Sequence, residues 1–235
     1  MSLFLILLAA GEGKRLKTNV PKPYYLVNNK SLLEHSYSSF KRFNEIKKIL
    51  IVYNKKHKKY IDKISFKNVL KIEGGKTRRE STYKALKKIR NMKCKNVIIH
   101  DSARPQPSYK LIKEIIFKLK KNYAVIPVIK VTDATKRIKK NTIFKNILRN
   151  TLRLAQTPQG FNYKKIYDRH KKNKDLIDDD SALFNNTNDK VLAIKGDKTN
   201  LKITDIDDLK IFKSLKIKKT FYGIGFDEHE LIKGR

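Results

Sequence analysis

The chain has 235 residues, of which 56 are Lys or Arg and 22 are Asp or Glu, giving a formal charge of +34 with 40% hydrophobic residues. That length suits one sizeable domain with at most a short appendage, and the apolar share excludes wholesale disorder. No apolar run approaches the roughly 18–20 residues that a spanning helix needs, so a transmembrane protein is excluded.

The first apolar run, residues 3–10, has no basic region before it and enters a glycine loop, so it does not read as a signal peptide. One cysteine, Cys94, allows no intrachain disulfide and fits a reducing cytoplasm. The 45 Lys outnumber the 11 Arg and are spread from Lys14 to Lys233. Such spacing reads as a solvated lysine-rich surface. A polyanion or nucleotide-phosphate partner is the alternative, and a nucleic-acid binder would concentrate its cations on one face or in a tail.

In chain order, the near-continuous apolar runs at 3–8, 49–53, 69–72, 97–100 and 124–128 have the length and pattern of strands buried on both faces of a parallel sheet. Amphipathic stretches separate them. Ser31 and Glu34 form a capping box opening a helix to about Phe43. A helix over 79–89 places Tyr83, Leu86 and Ile89 on one face. Another over 108–120 does so with Leu111, Ile112, Ile115, Ile116 and Leu119. This alternation predicts a doubly wound, mostly parallel α/β sheet. Residues 129–160 interrupt it as an insertion, with strands at 131–138 and 142–148 around the polar turn 139–141. After Thr204, whose hydroxyl would cap with Asp207, a helix runs to about Leu215, and a charged break at 216–219 precedes a tail too short to fold alone.

The first strand leads into Ala9-Ala10-Gly11-Glu12-Gly13-Lys14-Arg15. Small residues let a ligand approach the backbone, whose N–H groups can cradle phosphate oxygens. The spacing matches neither the dinucleotide fingerprint nor a Walker A loop, so a tight strand–helix turn without ligand is an equal reading. Lys22 lies between Pro21 and Pro23, whose fixed φ limits where its ammonium can go; a solvated loop lysine is the alternative.

These two motifs resemble those of the nucleotidyltransferases that activate sugars and sugar alcohols. Five more occur in the same order: Gly74–Ser81, His100-Asp101-Ser102-Ala103-Arg104-Pro105, Asp133-Ala134-Thr135-Lys136, Gln156-Thr157-Pro158-Gln159-Gly160-Phe161 and Asn200-Leu201-Lys202-Ile203-Thr204. Together, over residues 3–215, they resemble the 2-C-methyl-D-erythritol 4-phosphate cytidylyltransferases of non-mevalonate isoprenoid synthesis. The resemblance implies a Rossmann-like nucleotidyltransferase sheet with an inserted β-hairpin dimerisation arm. It also implies CMP transfer from CTP to methylerythritol phosphate, a Mg²⁺ ion held mainly by the CTP phosphates, and a cytoplasmic homodimer without nucleic-acid or membrane partners.

It further implies that Arg15, Lys22 and Lys202 act on the phosphates of CTP. Ala9, Ala10, Gly11, Gly13, Gly75, Arg78, Ser81 and Asp101 would bind the nucleotide. Asp101, Thr135, Lys136, Arg149 and Thr157 would bind the second substrate, with the arm reaching the neighbouring subunit. A ribitol-phosphate cytidylyltransferase shares the CTP motifs, but residues 133–137 favour methylerythritol phosphate. Three residues depart from the family pattern: Ser102, Ile177 and Asp180. Asp178, Asp179 and Asp180 read as a helix-start acidic cluster rather than a cation site, and no catalytic role is assigned to them. Residues 221–235 resemble the opening of the 2-C-methyl-D-erythritol 2,4-cyclodiphosphate synthases, where Asp227 and His229 match a metal-binding pair. The expected domains are 1–217 for the cytidylyltransferase, with the arm at about 129–160, and 218–235 for a linker and a truncated second domain.

Overall fold

The computed structural model describes residues 2–13, 16, 18–175, 177–185 and 187–215, so the expectations for the tail, Asp227 and His229 among them, lie outside the described residues. Seven consecutive buried residues form β1 (Leu3–Ala9). A tight hairpin, β2 (Leu26–Val27) and β3 (Lys30–Ser31), turns through Asn28 and Asn29 at φ 49° and 59°, a region Asn tolerates well. Next come α1 (Leu32–Phe40), β4 (Ile46–Tyr53), α2 (Lys58–Asp62), β5 (Val69–Glu73), α3 (Arg78–Lys88), β6 (Asn96–Asp101), α4 (Tyr109–Lys118) and β7 (Ala124–Lys130). The chain continues with β8 (Thr135–Lys139), β9 (Thr142–Ile147), β10 (Arg153–Ala155), β11 (Gln159–Asn162), α5 (Tyr163–Lys172), β12 (Val191–Lys195) and α6 (Ile206–Ser214).

The main sheet has β1 at its centre, pairing parallel with β4 on one side and β6 on the other. Beyond β4 lies β5, also parallel. Beyond β6 lies β11, which is antiparallel to both β6 and β7. β12 occupies the other edge of β7 along residues 124–128, so β10 continues on the β11 side. Alternate residues of β1 face opposite ways. Leu3, Leu5 and Leu7 pack with Phe40 of α1 and Leu111, Ile112 and Ile115 of α4. Phe4, Ile6 and Leu8 pack with Ala85 and Leu86 of α3 and Ile166 of α5. The predicted doubly wound sheet is therefore the observed one. Leu3, Leu5, Ile6 and Leu7 are 0% exposed, and each contributes about 1.5–3 kcal/mol by leaving water. No helix among the described residues is long and apolar enough to cross a membrane.

The helix starts follow side-chain chemistry. Ser31 and Glu34 close both halves of the capping box on α1, and Ser108 caps α4. Four details differ from the sequence reading. α6 is capped by Asp205 and not Thr204: the Asp205 carboxylate accepts from the Asp207 and Asp208 N–H groups, and the Asp208 carboxylate reaches back to the Asp205 N–H. Tyr83 lies on the flank of α3; the buried face carries Ser81, Thr82, Ala85 and Leu86. The insertion is shorter than 129–160, because β10 and β11 return into the main sheet and only residues 131–152 lie between β7 and β10. Finally, α5 and the edge strand β12 have no counterpart in the expected elements.

Candidate active site

Because β4 and β5 extend the sheet to one side of β1 and β6 to the other, the strand order reverses between β1 and β6, where open α/β sheets bind ligands beyond the strands' C-terminal ends. Asp101 ends β6 at this point and is buried. Its N–H donates to Thr157 Oγ1 (3.1 Å). Its Oδ1 accepts from Arg78 Nε at 3.2 Å, and its Oδ2 pairs with Lys202 Nζ at 3.1 Å. Burial pushes this carboxyl up, but the Arg78 and Lys202 cations outweigh burial and hold it well below the usual carboxylate range.

Arg78 opens α3, whose cap is Thr77. Its Nη1 donates to Asp180 Oδ2 (2.7 Å), so one guanidinium bridges two buried carboxylates. The other Asp180 oxygen meets His170 Nε2 at 3.0 Å, and the His170 ring stacks on Tyr83 at an interplanar angle of 6°. Burial raises the Asp180 carboxyl, while Arg78 and His170 lower it by more, leaving it ionised.

Across the strand ends, three contacts seat the segment carrying Lys202. Asn200 Nδ2 donates to the Thr157 carbonyl (2.8 Å), Arg104 Nη1 to the Asn200 carbonyl (2.7 Å), and the Ile203 N–H to the Ala103 carbonyl (2.8 Å). Lys22 Nζ donates to the Ile203 carbonyl (3.0 Å), which brings Lys22 beside the same segment.

The backbone of the first loop is fixed on its other side. Asn54 Nδ2 donates to the Ala10 carbonyl (3.2 Å). Gly13 has φ +66°, and a Cβ there would stand 2.6 Å from Lys22 Cβ, so glycine is required for two reasons. Gly75 donates its N–H to Ser81 Oγ (3.0 Å), and a Cβ on it would meet Glu80 Cβ at 2.3 Å. The Gly74–Gly75 turn thus packs directly on the first turn of α3. Gly11 is exposed, with nothing within 4 Å of where a Cβ would lie.

The structure therefore brings together Ala9, Ala10, Gly13, Lys22, Gly75, Arg78, Ser81, Asp101, Thr157 and Lys202. Arg15 lies outside the described residues. Thr135, Lys136 and Arg149 belong to the hairpin β8–β9 and its following turn, and the partners there are the arm's own: Lys136 Nζ to Asn146 Oδ1 (2.6 Å) and Arg149 Nη1 to the Thr132 carbonyl (2.6 Å).

The acidic cluster resolves into separate jobs. Asp179 caps the short turn at 180–184, accepting from the Ala182 N–H and from Gln159 Nε2, as a helix-start aspartate should. Asp180 is instead buried in the Arg78 pair, a role the helix-start reading missed. Among the described residues no group of three or more His, Cys, Asp or Glu is placed to hold a metal.

A doubly wound sheet that gathers lysines, an arginine and exposed backbone at its strand ends has the makings of a phosphate-binding site. The family model for 2-C-methyl-D-erythritol 4-phosphate cytidylyltransferase (IspD) matches residues 3–215, and the chain belongs to that family. A "bifunctional enzyme IspD/IspF" of Pelagibacter ubique is 45% identical over 232 residues, covering 99% of this chain and 61% of the relative. The chain thus spans about three-fifths of that relative's length. A 2-C-methyl-D-erythritol 4-phosphate cytidylyltransferase of Clostridioides difficile is 33% identical, covering 90% of this chain and 92% of the relative. Among solved structures, the 4-diphosphocytidyl-2C-methyl-D-erythritol synthase of Anaerococcus prevotii superposes with a TM-score of 0.79 at 30% identity, covering 91% of this chain and 95% of that one.

Proposed function

We propose that this chain transfers CMP from CTP to 2-C-methyl-D-erythritol 4-phosphate, giving 4-diphosphocytidyl-2-C-methyl-D-erythritol and pyrophosphate. The observation that carries the reading is the cationic strand edge: Lys22 donates to the carbonyl of Ile203, the residue after Lys202, and Lys202 is tied to Asp101. The attacking phosphate monoester is already an anion at neutral pH, so the reaction needs no general base. It needs in-line positioning and relief of repulsion between two anions. Lys22, Lys202 and Arg15 supply that relief at the triphosphate, and the Ala9–Gly13 and Gly75 backbone with Ser81 holds cytosine and ribose. Asp101 and Thr157 face the polyol phosphate.

The donor set fits a magnesium ion carried on phosphate oxygens. Asp101 has both oxygens in ion pairs, so it would reach such an ion through a water. When bound, the ion would neutralise charge on the transferring phosphates.

The arm completes the site of a second subunit. Ile138, Ile143, Phe144 and Leu148 are all more than half exposed on it, and an isolated two-stranded ribbon is marginal in water. A symmetric homodimer covers these residues and delivers Thr135, Lys136 and Arg149 to the neighbour's polyol phosphate. The chain is also the cytidylyltransferase part of a bifunctional enzyme, a reading supported by a match that covers 99% of this chain and 61% of the Pelagibacter relative. Pyrophosphate release with CTP and either methylerythritol 4-phosphate or ribitol 5-phosphate tests the reaction. Turnover with ribitol phosphate alone would overturn it.

A further inference from the structure

Gln156 stands beside Thr157 in the chain, and the proposed chemistry gives it no substrate to hold. It is buried, at 4% exposed. A buried amide is costly unless its donor and its acceptor are both paired. Gln156 pairs both with a single residue of another loop: Nε2 donates to the Asp197 carbonyl (2.8 Å), and Oε1 accepts from the Asp197 N–H (3.0 Å). The two residues follow strands on opposite edges of β7, where the Gln156 N–H donates to the Pro127 carbonyl and the Gly196 N–H to the Val128 carbonyl. The side chain therefore crosses the end of β7. Gly196 leaves room for the crossing, because a Cβ there would stand 2.6 Å from Gln156 Oε1 and 2.9 Å from Ile129 Cγ2.

This clamp holds the turn that leads to Lys202. The Asp197 carbonyl also accepts from the Asn200 N–H (3.1 Å), and Asp197 Oδ1 accepts from the Thr199 N–H (2.8 Å). Asn200, 1% exposed, returns its side-chain amide to the Thr157 carbonyl. Two residues further on, Lys202 Nζ meets Asp101 Oδ2 at 3.1 Å, and the Asp101 N–H is itself held by Thr157 Oγ1. Residues 156 and 157 thus tie down both halves of the Asp101–Lys202 pair. A lysine stem is flexible, so where its ammonium sits depends on where its backbone is held.

We propose that Gln156 is a positioning residue: by clamping Asp197 across β7, it sets the backbone from which Lys202 reaches Asp101 at the strand ends. This rests on the cytidylyl-transfer reading.

The test is a double-mutant cycle. Gln156→Met keeps the length of the side chain and removes both bonds. It should lower kcat about 10²-fold, the cost of a roughly 1 Å misplacement, with little change in the KM for CTP. In a Lys202→Ala background the same change should lower kcat by no more than roughly threefold, since the residue it acts through is already lost. Wild-type kcat in folded Gln156→Met, or an equal loss in both backgrounds, overturns the proposal. Should Gln156→Met fail to fold, Gly196→Ala pushes Gln156 Oε1 off Asp197 and leaves the glutamine in place. It should give a loss that again disappears without Lys202; an unchanged kcat, or a loss that persists in that background, overturns the proposal. A crystal structure of either folded variant decides without turnover. A shifted 197–200 turn with the Lys202–Asp101 pair broken supports the inference, and an unchanged pair refutes it even if the wild type proves inactive with these substrates.

Discussion

Lys22 donates to the carbonyl of Ile203, the residue that follows Lys202, while the Lys202 ammonium pairs with Asp101. In the proposed reaction both gain most as charge develops on the leaving pyrophosphate. Lys22→Ala should therefore lower kcat by about 10²–10³-fold, the usual cost of removing one such donor. CTP affinity, read by calorimetry, should change far less; near-normal turnover at saturating substrate would remove Lys22 from this role. His100 sets a second prediction. Its imidazole is fully buried, Nε2 meets the Arg104 carbonyl at 2.8 Å, and burial pushes its pKa down to about 4. The unfolded chain takes up a proton near pH 6.5 that the folded chain refuses until about pH 4, so stability falls as pH drops through this window, by on the order of 3 kcal/mol. His57, also lowered by burial, adds to the same window, whereas the depressed Asp101 and Asp180 lose their contributions only at lower pH. His100→Gln keeps a donor at the Nε2 position. Urea unfolding at pH 7 and 4.5 should show a smaller drop for this variant than for the wild type. Residues of this kind divide by how they can be read. Asp101 and Lys22 lie in motifs along the chain, but the bond from Arg78 to Asp180 spans 102 residues and leaves no local pattern.

At the scale of elements, strands buried on both faces were legible because every position must be apolar, as all seven residues of β1 show. β12 escaped because it is an edge: three of its five residues are exposed, and its short run of apolar residues carries no strong period. β10 and β11 escaped because they are short and interrupted, and their place beside β7 is a tertiary fact. The arm was legible as a hairpin, since Lys140 and Asn141 at φ 45° and 63° form its polar turn. The arginine at its base, Arg149, then makes a specific prediction. If Arg149 pairs with the neighbour's substrate phosphate, Arg149→Ala should raise the KM for methylerythritol phosphate and leave CTP affinity nearly unchanged. Mixing inactive Arg15→Ala chains with Arg149→Ala chains under exchanging conditions should restore activity, because one heterodimer site then carries both lesions and the other carries none. No recovery with exchange confirmed would show that each chain completes its own site.

For the whole molecule, a formal charge of +34 acts on folding and on encounter in opposite ways. Spread cations repel one another in the compact state, and they also draw anionic substrates toward a cationic strand edge. Raising ionic strength from about 0.01 to 0.15 M shortens the screening length from about 30 to 8 Å. Over that range the unfolding midpoint should rise as self-repulsion weakens. The kcat/KM for CTP should fall as attraction at a distance is screened. kcat should stay nearly constant, because in the proposed reaction the bound triphosphate lies within a few ångströms of Lys22 and Lys202, inside the screening length. The same experiment separates this reading from that of a basic nucleic-acid binder. Such a protein would hold RNA with an affinity falling as a steep power of salt, one counterion released per phosphate contact. A scattered lysine surface predicts only weak RNA retention at 0.15 M salt. Tight RNA binding there, with no salt effect on kcat/KM for CTP, would assign the charge to a nucleic-acid partner instead of to the nucleotide.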